Sequence, residues 1–303
     1  MNQLYWHVYL NLEKEFLRLA DTIFVNDNQQ EIYSMKIADL LIRTVIEIEA
    51  LAKELYLANG GPVLPDEEMF FDTVCMKHLD NLWNLDKKMV LVVSPSIYYD
   101  KDENKVLTPL HKATKRGSSS ADWNKAYQAV KHNRVRELSK GNIKHFLHGL
   151  AALYVLNLYY REERIINLPE KEKHNVDPSF GSSLFAVKIH KVGGFNVDNG
   201  YIKNADYDEC VYIEDYESAS KQKAMEAMAL MTDYINNASH VEYEKLIREK
   251  FNKGETPTKE WIEQHQIDVI KKVLPVKDIN LGKLFNNAMT GIRYEIVLNK
   301  HQY

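Results

Sequence analysis

The stretch from Phe146 to Tyr160, FLHGLAALYVLNLYY, constrains this chain more than any other. It is almost wholly apolar, interrupted only by His148, Gly149 and Asn157. An amphipathic surface helix carries one apolar stripe, whereas a helix apolar all round has to be covered on every side. At 15 residues it is shorter than the roughly 20 that a bilayer core requires. It is therefore expected as a buried central helix, enclosed by other helices. Ser139-Lys140-Gly141 just before it reads as the end of the preceding helix, and Asn142 as the side chain that caps the new one.

The rest of the chain supplies elements to enclose it. Residues 3–24 place Leu4, Val8, Leu12, Phe16, Leu19 and Ile23 at helical spacing, and residues 31–57 set a broad apolar face against Lys36, Asp39, Arg43, Glu47 and Glu54. Pro65 and Asp66 suit a helix start, so a third helix is expected over 66–85. A fourth spans 122–139 and the central one 142–164. Between the third and fourth, β-branched and aromatic runs flank the turn DKDEN and read as a β-hairpin over about 89–108. The expected fold is mainly α: an up-and-down helical bundle, residues 1–168, with this inserted β-hairpin. A small α+β region, 184–303, follows the proline-containing crossing NLPEKEK. In it LFAVKIHKV, ECVYIEDY and GIRYEIVLNK read as strands, and 217–237, 240–252 and 257–273 as helices. Met225, Met228 and Met231 on the first of these helices are expected as core filler.

With 45% hydrophobic and 11% aromatic residues, the chain is unlike a disordered protein. Its amino-terminal MNQLYWHVYLNLEKEF lacks a basic segment followed by an apolar one, and no stretch is long enough to span a bilayer, so a cytoplasmic protein without membrane contact is expected. Cys75 and Cys210 are far apart and make no ligand spacing, which points to two buried free thiols.

Net charge is −4, unevenly placed. From His111 to His145 nine Lys or Arg face only Asp122 and Glu137, so that window carries +7 and the remainder −11. A polyanion answers to the local field rather than to net charge, so the window is a candidate anion-binding face. A solvated loop and helix face gives the same count. On the helical wheel of 122–139, Trp123, Tyr127, Val130, Arg134 and Leu138 share one side, which puts an arginine into an apolar stripe. A buried unpaired charge costs several kcal/mol, so Arg134 is expected to find an anion. On the stripe Met35, Ala38, Ile42, Val45, Glu49, Ala52, Tyr56 of the second helix, Glu49 is the lone charge and the expected partner, although Lys53 one turn on could satisfy it locally.

Catalytic signatures are sparse. Gly60-Gly61 and Gly193-Gly194 lack the spacing of a phosphate loop, and neither GxSxG nor HExxH occurs. His145 and His148 share a helix face, but a metal needs more ligands than two, and neither metal nor cofactor is expected.

The pattern Trp123-x3-Tyr127-x3-Lys131-His132-Asn133-Arg134, followed by Gly141-Asn142 and the very apolar helix, resembles bacterial helical proteins of the HEPN type (higher eukaryote and prokaryote nucleotide-binding domain). The resemblance covers roughly residues 1–164. It implies a bundle of about four long helices, often a homodimer, in antiphage-defence, toxin or RNA-processing settings. In active members an arginine precedes a histidine by about four to six residues and the pair cleaves RNA without metal. Here ten residues separate Arg134 from His145, eight separate Arg136 from it, and His132 precedes Arg134. Carried over, the resemblance gives Arg134 at the phosphate, His145 or His132 as acid or base, Asn133 positioning, and Lys112, Lys115, Arg116, Lys131 and Arg136 along the RNA backbone. Two functions follow: a HEPN-like RNA-binding protein or metal-independent ribonuclease, or a non-catalytic helical module that binds a protein or nucleic-acid partner and in which Arg134 only neutralises Glu49.

Overall fold

A computed structural model describes residues 3–192, 201–261, 265, 268–269 and 290–303. The chain is mainly α. In order it forms α1 (Leu4–Ala20), β1 (Val25–Asn26), α2 (Met35–Ala58) and a π-helical turn (Phe71–Met76) continued by α3 (Lys77–Trp83). Next come β2 (Val90–Val92), β3 (Ile97–Tyr98), the short α4 (Asp102–Lys105), β4 (Val106–Leu107), α5 (Asp122–Glu137) and α6 (Ile143–Arg161). The remainder is β5 (Ile165–Leu168), β6 (Phe185–Val187), β7 (Ile189–His190), β8 (Tyr212–Tyr216), α7 (Ser218–Asn252) and β9 (Tyr294–Leu298).

α6 is the expected central helix. Asn142 caps it, accepting from the His145 backbone N–H at 3.0 Å, and every residue from Gly149 to Tyr159 is buried. α1, α2 and α5 pack around it. Gly149 faces Leu41, Thr44 and Trp123, which a Cβ there would meet at ordinary contact distances of 3.6–3.7 Å. Asn157, also fully buried, turns its amide N–H back onto the Leu153 carbonyl at 3.0 Å.

Several elements depart from the periodicity reading. α1 buries Trp6, Tyr9, Leu12, Glu13 and Phe16, and leaves Leu4 exposed. The aromatic side chains remove more apolar area from water than the aliphatic row does, and so choose the face. The third helix starts at Phe71 rather than Asp66, because Pro65 to Met69 close a turn of their own. The 217–237 and 240–252 segments are one 35-residue helix, unbroken by Asn236-Asn237. The expected helix over 257–273 lies partly outside the described residues, as do the side chains of Met228 and Met231.

β2 and β4 pair antiparallel, and β2 also pairs with β6, with Val90 opposite Val187 and Val92 opposite Phe185. β3, which lies between β2 and β4 in the chain, pairs in parallel with β1 instead, and a four-stranded sheet runs β5-β9-β8-β7. The segment LFAVKIHKV therefore contributes one strand to each of the two larger sheets, changing over at Lys188. One cluster of buried side chains spans the boundary expected between residues 168 and 184. Phe180 stacks on Tyr212 at 3.9 Å, Trp83 on Tyr159 at 4.5 Å, and the Tyr159 hydroxyl donates to the Asn299 carbonyl at 2.6 Å. Glu13 of α1, buried and without a cation among the described residues, accepts from the backbone N–H groups of Ser183 and Leu184, each at 3.0 Å, and from the Tyr9 hydroxyl at 2.8 Å. The strands are thus tied into the same core as the helices.

Candidate nucleic-acid interface

α5 is the element on which most of the candidate residues lie, and it is not straight. Asn133 has φ −147° and ψ 58°, well outside helical values, so the wheel that describes Trp123, Tyr127 and Val130 does not extend past it. Asparagine tolerates such backbone because its side chain competes for local hydrogen bonds. Up to Val130 the stripe is buried; Val135, beyond the break, is 96% exposed.

The kink overturns the expected Glu49–Arg134 pair. Arg134 meets Asp39 instead, Nη1 to Oδ1 at 2.9 Å, with both side chains substantially exposed. Glu49 stays half-buried and faces the part of α5 before the kink, where the Tyr127 hydroxyl and Lys131 reach it. Burial raises its carboxyl above the ordinary carboxylate range, against the pull of Lys131 and Tyr127. Lys131 also donates to the Tyr127 hydroxyl at 3.1 Å.

His145 does not join Arg134. Its Nδ1 pairs with the Lys140 carbonyl at 2.8 Å, and burial lowers its pKa while Glu31 and Asp122 pull it up. His148, one turn on, is pushed down to about 4 by burial and by Lys144. His132, Asn133 and Arg136 are exposed around the kink. Among the described residues, no group of three or more His, Cys, Asp or Glu side chains is placed to hold a metal ion.

What α5 does build is a cleft of about 680 Å³ between its first half, α2, the segment 66–72 and the loop 116–120. Arg116, Lys125 and Lys131 of the basic window line it, together with Lys53 of α2. Arg116 is fixed there twice, 3.8 Å from the Phe70 ring centre and 3.4 Å from the buried Asp72 carboxylate. Lys125 is held by Asp122 at 2.6 Å. The loop leading in is pinned: Asp86 takes His111 at 3.1 Å and the Lys112 backbone N–H at 2.9 Å. Lys112 and Lys115 remain exposed on that loop, outside the cleft.

The cleft gathers residues from four separate stretches, which is why no local spacing announced it. Asn124 and Gln128, which also line it, were open to notice: they are one turn apart and flank the buried stripe. Cys75 lies close behind, its thiol pushed up to about 11 by burial and by Asp72, against the pull of Lys53. Such a thiol stays protonated at neutral pH and is a poor nucleophile.

No helix among the described residues is long and apolar enough to cross a membrane. Compared with models of known protein families, with curated proteins and with solved structures, the chain matches none.

Proposed function

We propose that this protein binds RNA through the basic window, as a HEPN-like helical protein whose α1, α2, α5 and α6 form an up-and-down bundle with the 89–108 hairpin inserted. The observation that carries the reading is that Arg116, Lys125 and Lys131, from two parts of the window, line one cleft. Lys112, Lys115, His132 and Arg136 stand exposed on the loop before it and the helix end after it. A strand entering the cleft would find cations along its backbone.

Binding is favoured over cleavage. Metal-free cleavage needs a cation at the scissile phosphate and an acid or base at the 2′-hydroxyl. Arg134 is engaged by Asp39, His145 by the Lys140 carbonyl, and the charges acting on His145 are those of Glu31, Asp122 and Lys144. A ribonuclease would require the pair to be assembled across a homodimer.

Salt dependence tests the reading. Affinity for single-stranded RNA should fall steeply with salt, and changing Lys112, Lys115 and Arg116 together to alanine should flatten the log–log slope by about 2, since each phosphate contact on a single strand contributes roughly 0.7. Absence of RNA binding at low salt would leave a protein-binding helical module as the function.

A further inference from the structure

Arg116 is held in the cleft by two different kinds of contact. Its guanidinium carbon lies 3.8 Å from the centre of the Phe70 ring, at stacking distance, and its Nε is 3.4 Å from a carboxylate oxygen of the buried Asp72. The ring thus covers one face of the guanidinium plane and the carboxylate holds one edge. The side chain is still 53% exposed, and it lines the cleft, so the opposite face is left to whatever enters. The backbone behind it is fixed as well. The Ser119 hydroxyl donates to the Arg116 carbonyl at 3.1 Å, and the Ser120 hydroxyl to the Gly117 carbonyl at 3.0 Å.

A cation that only attracts phosphates needs none of this. Lys112 and Lys115 stand exposed on the same loop, and a compact, strongly hydrated ammonium on a flexible stem is enough for that purpose. A guanidinium is planar and weakly hydrated, and a flat face turned into a cleft is a surface on which an unstacked base can lie.

We infer that Arg116 is a stacking plate for an unpaired RNA base, in a layered stack of Phe70 ring, guanidinium and base, while Lys53, Lys125 and Lys131 around the cleft meet the flanking phosphates. The ligand class that follows is single-stranded RNA, because in a duplex both faces of a base are taken by its neighbours. Recognition is through the face of the base and not its edge. Every base has such a face, so no particular sequence is required. The cleft volume of about 680 Å³ is that of ordinary small-molecule sites, which is the scale of a nucleotide rather than of a duplex.

This inference rests on the RNA-binding reading, and a strand without bases separates the two. The whole protein is titrated by fluorescence anisotropy, over a series of salt concentrations, with two RNA oligonucleotides of equal length and charge, one U-only and one fully abasic. The U-only strand should bind about fivefold or more tightly than the abasic one, the low end of what one stacked base contributes. Arg116→Lys keeps the positive charge and removes the plane. It should bring the two strands to about equal affinity and leave the salt slope of the abasic strand unchanged, whereas an Arg116 that acts by charge alone would leave their ratio untouched. Phe70→Leu, which takes away the ring beneath the guanidinium, should narrow the ratio in the same direction, and it carries the test if the lysine variant fails to fold. Equal, salt-dependent binding of both strands by the unaltered protein would overturn the inference and leave the RNA reading standing. A preference for the U-only strand that Arg116→Lys retains would do the same. Binding of neither strand at low salt would remove both.

Discussion

Lys88 is a buried, unpaired amine, and replacing it should stabilise the fold. It sits just before β2, fully buried, with no hydrogen-bond partner for Nζ. The carboxylate that acts on it most, Asp208, is already engaged by the neighbouring Lys87 at 2.8 Å. Burial lowers the Lys88 amine from 10.5 to about 8, with Asp208 and Cys210 recovering only part of the loss. At 1.36 kcal/mol per unit, that displacement is a penalty of about 3 kcal/mol. The unfolded chain binds the proton more tightly, so stability rises with pH between the two values. The penalty is fully present below pH 8 and gone above 10.5. Lys88→Met keeps the buried stem and removes the charge. Urea denaturation at pH 7 should show the variant more stable by about 3 kcal/mol, and by about 2 kcal/mol at pH 9, because the remaining displacement has shrunk in proportion. A variant no more stable than the parent, or a gain that does not narrow with pH, would refute the assignment of an unpaired buried amine.

Other perturbations test the joints described above. Glu13→Ala should destabilise by about 3 kcal/mol or more in chemical denaturation, because the buried N–H groups of Ser183 and Leu184 lose their acceptor; a loss below 1 kcal/mol would mean that α1 and the 182–184 segment are not joined there. Glu49→Met and Arg134→Met should be additive in thermal melts, since Arg134 pairs with Asp39 on the surface, and such exposed pairs contribute about 1 kcal/mol or less; a coupling above that would restore the Glu49 pair. His148 is pushed down to about 4, so the unfolded chain takes up the proton first as pH falls below its ordinary 6.5. Stability should decline from pH 6.5 toward 4, and His148→Leu should flatten that decline; an unchanged slope would place the acid sensitivity elsewhere.

The parts of the fold that could be read in the sequence are those governed by one short-range rule. The run from Phe146 to Tyr160 had nowhere to go but the interior, and Asn142 could be seen as its cap because capping needs only a side chain three residues from the N–H it accepts. Arg134 failed for the opposite reason. Its placement was extrapolated along a straight helix, and one residue with a non-helical backbone, Asn133, redirects everything after it. Glu13 could not have been assigned from sequence, since apart from the Tyr9 hydroxyl the groups that satisfy it come 169 to 171 residues later. The same distance problem hides the cleft: Lys53, Phe70, Arg116 and Asn124 share no spacing. The basic window was visible as a charge count, but a count does not say which of its members converge.

That convergence depends on the kink. Before Asn133, α5 is held against α2 by Trp123, Tyr127 and Val130, and its cleft-facing side offers Asn124, Lys125, Gln128 and Lys131 on a rigid frame. After it, the chain turns out, and Arg134 and Arg136 stand among solvent-exposed neighbours. A straight helix would have drawn Arg134 toward Glu49 and the stripe. The break keeps a strong cation off the Glu49 carboxylate and leaves that wall of the cleft to Lys131 and the Tyr127 hydroxyl. The half of α5 before the kink thereby supplies the wall of the cleft on a packed frame, while the half after it carries its cations in solvent outside the cleft.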